Sequence, residues 1–492
     1  MAIDSEHPQY IARKEQWEKM RDTTAGQEAI HAKTTKYLPK LSGQSDDEYK
    51  AYLKRTTFYG ATPRTVEGLS GMVFRKPPQY KVPAGLKPYL EDVTLDGLSL
   101  LGFAEEIVDD VITVARAGIL VDHPVVAEGT TKAQAEASNI RPFLKHYTAE
   151  NIFNWKVEGR NNAQVLTQVR LWEFVPVAGA NEFSDDQQKQ IRVLDLDPAG
   201  NYRQRVFIEN KAAATPDQKW LQFGPDIYPT MNGAPLTFIP FWFVGAKNGK
   251  PKAEKPPLID LANVNLSHYT STADLEHGAH FTGLPTAVIT GHTETDDEKG
   301  NEYRIGAATA WIFPSAETKV QYLEFQGQGL EALENRIAKK EEQMAFLGAR
   351  MLSPEKKAAE TAETANIHRM GEISVLASLA QSVSEAIEQA LSFMSDWSGF
   401  GPDVDYDLNK EFLAVNMSPD QLRALLQTWQ AGGIAYADLL ENLKKGEVVR
   451  DDRTADEIRS EVETENPFMG SDVNGGPGAP AGNNDGGGAN GE

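Results

Sequence analysis

The chain has 492 residues, 40% of them apolar, a formal net charge of −22 and no cysteine. The missing thiols exclude disulfides, thiolate nucleophiles, Cys-ligated zinc and iron–sulfur clusters. The acidic excess opposes tight, non-specific wrapping of nucleic acid, which needs Lys and Arg to replace phosphate counterions, but not a passage through which DNA slides. The polar start, Met1 to Tyr10, lacks the apolar stretch of a signal peptide, and no apolar run is long enough to span a bilayer. A soluble protein made in the cytoplasm is the expectation.

Residues 1–40 read as helical, with Trp17, Met20 and Ile30 set among charges. Ser45-Asp46-Asp47-Glu48 is a capping box, opening a helix with Tyr49, Tyr52 and Leu53 on one side. Thr62-Pro63 opens a short helix, Arg64 to Met72, which Pro77-Pro78 closes. Phe103, Ile107, Val108, Val111 and Val114 recur at helical spacing, and Gly118 to Val121 follows as a buried strand.

From Pro142 to Gly245 the apolar period switches to two. Val165–Phe174, Ile191–Leu196 and Tyr202–Ile208 read as strands, and the aromatic run Thr237 to Val244 as interior. Gly245 to Pro257, rich in Lys, Gly and Pro, reads as a hinge leading out of one α+β body.

Beyond it the pattern is that of a rod. One helix runs from Leu258 to about Phe281, stopped by Gly283 and Pro285; a second spans Gly329 to Leu352, stopped by Ser353-Pro354. At ~1.5 Å per residue each is about 36 Å long. The second carries a narrow stripe, Leu330, Leu333, Ile337, Met344, Leu347 and Met351, interrupted by Lys340. A stripe that narrow is a seam between helices. Between the two lie strand-like runs at Thr286–Thr290, Tyr303–Phe313 and Lys319–Phe325, with an acidic turn from Glu294 to Gly300. A third helix, Glu363 to Trp397, keeps its apolar spacing from Ile367 to Trp397. A strand over Asp403–Val415 follows, then helices opening at Ser418, Ala435 and Thr454. The Gly-, Asn- and Asp-rich stretch 466–492 has almost nothing to bury and reads as a disordered tail.

Chemical signatures fail on inspection. His277 and His280, with His268 and Glu276 near, share a helix face but lack a third ligand at metal spacing. Asp403-x-Asp405-x-Asp407 begins like a calcium loop, yet Leu408 and Ala414 stand where glycine and glutamate are needed. Gly327-Gln328-Gly329 lacks the third glycine of a dinucleotide loop, and no GxxxxGK[ST], GxSxG or HExxH occurs. No catalytic residue, cofactor or metal is expected, so the chain reads as a non-enzyme. Ser353 to Ala362, small and polar between long helices, is either a solvated connector or a projecting loop whose Lys356 and Lys357 meet phosphates.

The run Thr62 to Pro77 (TPRTVEGLSGMVFRKP), the run Pro257 to Glu276 (PLIDLANVNLSHYTSTADLE) and the order helix, β excursion, helix, loop, long helix resemble the portal proteins of tailed bacteriophages, the head-to-tail connectors. The resemblance covers nearly the whole chain except the tail, and implies an α+β portal fold. Residues 1–256 would be the wing, 257–282 and 329–352 the two stem helices, and 283–328 the clip. Residues 353–362 would be the tunnel loop, 363–415 the long wing helix and returning strand, and 416–465 the crown.

Family members form a ring of twelve around a channel for double-stranded DNA. Their partners are the terminase large subunit, head-completion or adaptor proteins, and major capsid and scaffolding proteins, with no membrane. Their place is the portal vertex of the virion, after assembly in the host cytoplasm. Under that resemblance Asp260, Asp274 and Glu276 would bias the lumen negative and Lys356 and Lys357 would touch DNA. Glu294, Asp296, Asp297 and Glu298 would meet the clip's partner. The rival readings are a cytoplasmic helical scaffold or adaptor that forms no ring, and a nucleic-acid-processing enzyme.

Overall fold

The computed structural model describes residues 2–126, 131–160, 162–177, 183, 185–210, 213, 215, 218–282, 286–290, 317, 319–323, 328–349, 362–410, 412, 419–446, 448–449 and 453–465. Residues 1–410 make one compact unit and 411–492 a second.

The first unit opens with four helices: α1 (Pro8–Ala25), α2 (Gln27–Ala32), α3 (Asp46–Arg55) and α4 (Ala61–Val73). The capping box forms as read: the Ser45 hydroxyl accepts from the Glu48 amide while Glu48 accepts from the Ser45 amide at 2.8 Å. α4 begins at Ala61, three residues earlier than expected, and its cap is Gly60, which offers no side chain. After a short strand β1 (Gln79–Lys81) comes α5 (Leu100–Val114), where Ser99 accepts from the Gly102 amide. The apolar stripe of α5 is fully buried, and Ala115 in a left-handed conformation (φ 60°) turns the chain straight into β2 (Arg116–Asp122).

All seven residues of β2 are buried, because it is the centre of a three-stranded antiparallel sheet. After α6 (Lys132–Ala137), β3 (Phe143–Thr148) pairs with one edge of β2, and β11 pairs with the other. Between them runs an antiparallel meander: β4 (Ile152–Arg160), β5 (Ala163–Pro176), β6 (Gln187–Leu196), β7 (Tyr202–Glu209) and β8 (Trp220–Ile227). A small hairpin, β9 (Thr230–Met231) and β10 (Ala234–Pro235), leads to β11 (Phe241–Gly245). The expected interior run is therefore split: Phe241, Phe243 and Val244 are buried, whereas Phe238 is 40% exposed. At Gly118 a Cβ would stand 2.3 Å from the Phe241 ring, so only glycine lets the strands approach this closely.

The sheets are locked by a buried polar network. Glu173 accepts from Lys145 (2.6 Å), the Tyr147 hydroxyl (2.7 Å), Gln190 (2.8 Å) and Arg192 (3.1 Å). Arg192 also reaches Asp122 (2.7 Å), which accepts from Gln204 (2.8 Å). Burial alone would raise the Glu173 carboxyl, but Arg192 and Lys145 outweigh it and hold the group at about 2. On the opposite face, residues 2–7 cross the meander as a strap. The Arg170 guanidinium donates to the Ile3 carbonyl (3.0 Å), the Trp220 indole to Asp4 (3.0 Å), and the His7 amide to the Phe153 carbonyl (2.9 Å).

Next come α7 (Ile259–Thr282), the antiparallel pair β12 (Thr286–Thr290) and β13 (Lys319–Leu323), and α8 (Gln328–Met344). α9 (Ala362–Trp397) is 36 residues long and returns over the body. Its Leu379, Val383, Ile387, Leu391 and Met394 are buried. Of the strand expected over 403–415, the described residues show β14 (Asp405–Asp407), paired with β1; residues 411 and 413–415 lie outside them. Around it Val404, Tyr406 and Leu408 are buried and Asp403, Asp405 and Asp407 exposed. The second unit holds α10 (Pro419–Gln430), α11 (Tyr436–Lys445) and α12 (Ala455–Glu465). In α12 the Thr454–Glu457 capping pair forms, and Arg459 sits over the Tyr436 ring. The expected strand at 303–313, the loop 353–361 and the tail 466–492 lie outside the described residues.

Candidate functional site

The helix pair α7/α8, closed at its far end by β12 and β13, is the feature to which a function attaches. Its two helices pack along the seam the sequence marks. On α8, Leu330, Leu333, Ile337, Lys340 and Met344 are the shielded positions, and the residues between them are exposed. Lys340 does not break this seam. Its ammonium donates to the Ser267 carbonyl and the Ser271 hydroxyl of α7, each at 2.6 Å. Burial, with Arg336 alongside, pulls that ammonium below the usual lysine range. The adjacent Glu341 lies 3.4 Å from His268, whose ring packs against Tyr59. Burial pulls this imidazole down despite Glu341. Farther along, a Cβ on Gly278 would stand 2.7 Å from a terminal methyl of Leu330, which would have to turn aside.

α7 is not a free shaft. Its other side is inserted into the N-terminal helices: Leu266, Tyr269 and Ala273 join Ile30, Leu38, Tyr49, Tyr52 and Phe58 in one apolar cluster. Fully buried Asn265 joins the pair to α4. Its Oδ1 accepts from the Thr62 amide (3.2 Å) and hydroxyl (2.9 Å), and its Nδ2 donates to the Tyr59 carbonyl (2.8 Å). A side chain 203 positions away thus supplies the cap that Gly60 lacks.

The regular α-helix of α8 ends at Met344, and residues 350–352 of the expected helix lie outside the described residues. At Ala345–Ala349 it loosens into a π turn, with Gly348 at φ 127°, a conformation open to glycine but strained for other residues. This turn packs beside the start of the pair, where a Cβ on Gly348 would be 3.4 Å from Thr65 and 3.8 Å from Leu258.

The residues singled out from the sequence are dispersed. Asp260 is ion-paired with Lys255 at 2.8 Å. Asp274 accepts from the Tyr52 hydroxyl at 2.9 Å, and burial with this bond raises the tyrosine's pKa. Glu276 is exposed on a later turn of α7. His277 meets the Tyr52 ring edge-on at 5.2 Å. Lys356, Lys357, Glu294, Asp296, Asp297 and Glu298 lie outside the described residues. Sequence reasoning missed Asn265, Ser267, Ser271 and Gly278. The available signal was a polar or small residue recurring on an otherwise apolar helix.

The segment read as a hinge is instead fastened down. Arg116, 2% exposed, donates to the Pro251 carbonyl at 2.8 Å, with its guanidinium held between the rings of Trp155 (4.2 Å) and Phe243 (4.7 Å). The Ala253 amide donates to Gln9 of α1 at 3.1 Å.

A family model described as Domain of unknown function (DUF4055) matches residues 257–398, the span from the start of α7 to the end of α9. No curated protein matches the chain. Among solved structures, the neck of an empty GTA particle computed with C6 symmetry is similar at 12% identity, covering 80% of this chain and 91% of that chain, with a TM-score of 0.39. A chain of the virion of a native gene transfer agent (GTA) particle gives 11% identity, 83% and 96% coverage, and a TM-score of 0.38. The neck of a native GTA particle computed with C12 symmetry gives 12%, 78% and 89%, and 0.33. At TM-scores below 0.5 these likenesses decide nothing about this chain.

Proposed function

We propose that this chain is a portal subunit. Copies form a ring at one capsid vertex, double-stranded DNA is packaged through it by a terminase motor and later ejected, and the ring carries the head-completion and tail proteins. The observation that carries this reading is the projection itself: helix α7, paired strands β12 and β13 and helix α8, rooted in an α+β body and followed by the 36-residue α9. That is the element order the sequence resemblance to portals implies for stem, clip, stem and wing helix.

The physical logic is that of a stiff strut. Asn265 and the Tyr269 cluster hold α7 to the body, and Lys340 fixes the register of α8 on α7. Load along the pair then passes into the body without the helices sliding. The subunit itself supplies no chemistry, and ATP is hydrolysed by the separate motor. Twelve copies, a virion location and capsid partners belong to the same proposal.

Mass photometry and negative-stain imaging of the purified chain test it. The expected result is a large annular oligomer with a central hole. Monomer-sized particles across salt, concentration and crowding conditions would favour the ringless scaffold instead.

A further inference from the structure

Resting on that reading, we infer that the loop of residues 246–255 is a contact surface for the phosphates of duplex DNA, presented by Lys247, Lys250 and Lys252. Many lysines of the body are matched: Lys14 with Glu6, Lys33 and Lys36 with Glu18, Lys145 with Glu173, Lys219 with Asp4, Lys255 with Asp260. Others, such as Lys54, Lys87 and Lys156, are exposed without an ion pair among the described residues but stand singly, far apart in the chain, whereas three fall within six residues of this loop. Lys247, Lys250 and Lys252 are exposed and have no ion-pair partner among the described residues. The acid within the same loop, Glu254, turns an oxygen inward to a buried position and does not screen them at contact distance.

The loop is also rigid. Arg116 holds the Pro251 carbonyl, Gln9 holds the Ala253 amide, and the Asn248 side chain accepts from the Lys250 amide at 3.1 Å. Gly249 lies so close to the strand that a Cβ would be 3.0 Å from the Phe243 carbonyl. With the backbone already fixed, meeting a polyanion orders only the lysine side chains and not the loop. The loop runs directly into Leu258 at the root of α7, and Leu258 adjoins Gly348 in the π turn that ends α8. The lysines therefore sit at the body end of the helix pair, away from β12 and β13. A duplex is favoured over an acidic protein segment because the loop offers charge without an apolar anchor, the pattern of backbone contact.

The test is fluorescence anisotropy of a labelled duplex against the full chain between 50 and 200 mM salt. Lys247→Ala/Lys250→Ala/Lys252→Ala is compared with Lys54→Ala/Lys87→Ala/Lys156→Ala, exposed lysines elsewhere on the body. The loop triple should weaken binding at least roughly tenfold at 50 mM salt and lower the salt slope by about 2 to 3, while the control changes little. No binding by the parent chain, equal losses in both triples, or tighter loop-dependent binding of a labelled polyglutamate would overturn the inference. Rings without loop-dependent binding would sink this inference alone. Loop-dependent binding by a chain that forms no ring would sink the portal reading and leave the surface standing.

Discussion

Asn265→Leu removes the link between the helix pair and α4 while roughly conserving volume. Asn265 is fully buried, and the change strands the Thr62 amide and hydroxyl, bonded at 3.2 and 2.9 Å, while the Tyr59 carbonyl loses one bond of 2.8 Å but keeps the Ala61 amide. A buried polar group left without a partner costs ~1–3 kcal/mol. The hydroxyl can turn elsewhere, so the combined cost should be about 2 kcal/mol. At tenfold per ~1.4 kcal/mol, the Thr62 amide should exchange with solvent roughly 30-fold faster. Hydrogen exchange with mass spectrometry over residues 59–66 reads this directly, with β5 amides as the unaffected reference. Thr62→Val combined with Asn265→Leu should recover about 1 kcal/mol of coupling. Exchange altered less than twofold, or additive single changes, would refute the proposed cap.

Three further outcomes follow from the same contacts. Lys340→Met keeps the alkyl chain but loses both bonds to α7; allowing for partial exposure, the cost is about 1 kcal/mol, seen as roughly fivefold faster exchange over 268–272. Gly278→Ala should be near neutral by urea midpoint, since the flexible end of Leu330 can give way and alanine favours helix by ~1 kcal/mol, whereas Gly278→Val should cost about 1–3 kcal/mol. Glu173 titrates at about 2 in the folded chain, below its ordinary 4.5. The unfolded state therefore binds the extra proton first, and the stability this group adds is present above pH 4.5 and lost as pH falls towards 2. Glu173→Gln should flatten that part of the pH dependence of the urea midpoint and destabilise by about 3 kcal/mol at neutral pH.

Features set by local chemistry were legible. The Ser45 and Thr454 capping boxes, the breaks bounding α7, and the period-two strands β6 and β7 appear close to where the residues put them. What escaped depends on distant partners. α4 starts early because Asn265, far along the chain, caps it. The edge strand β8 is exposed along most of its length, so no alternation marks it. β4 is buried in its first half and exposed in its second, which hides its period. Lys340 read as a flaw in an apolar stripe because periodicity cannot show that a long side chain reaches the carbonyl of Ser267. The Lys-rich segment read as a hinge because its anchor, Arg116, belongs to a strand 135 residues away.

A reconstruction of the purified assembly by electron cryo-microscopy, at a resolution that separates helices, bears most directly on the strut. The account predicts α7 and α8 of successive copies standing side by side around an axial bore wide enough for duplex DNA, with β12 and β13 at one mouth. Helix pairs directed away from the axis, or packed together with no bore between them, would contradict it.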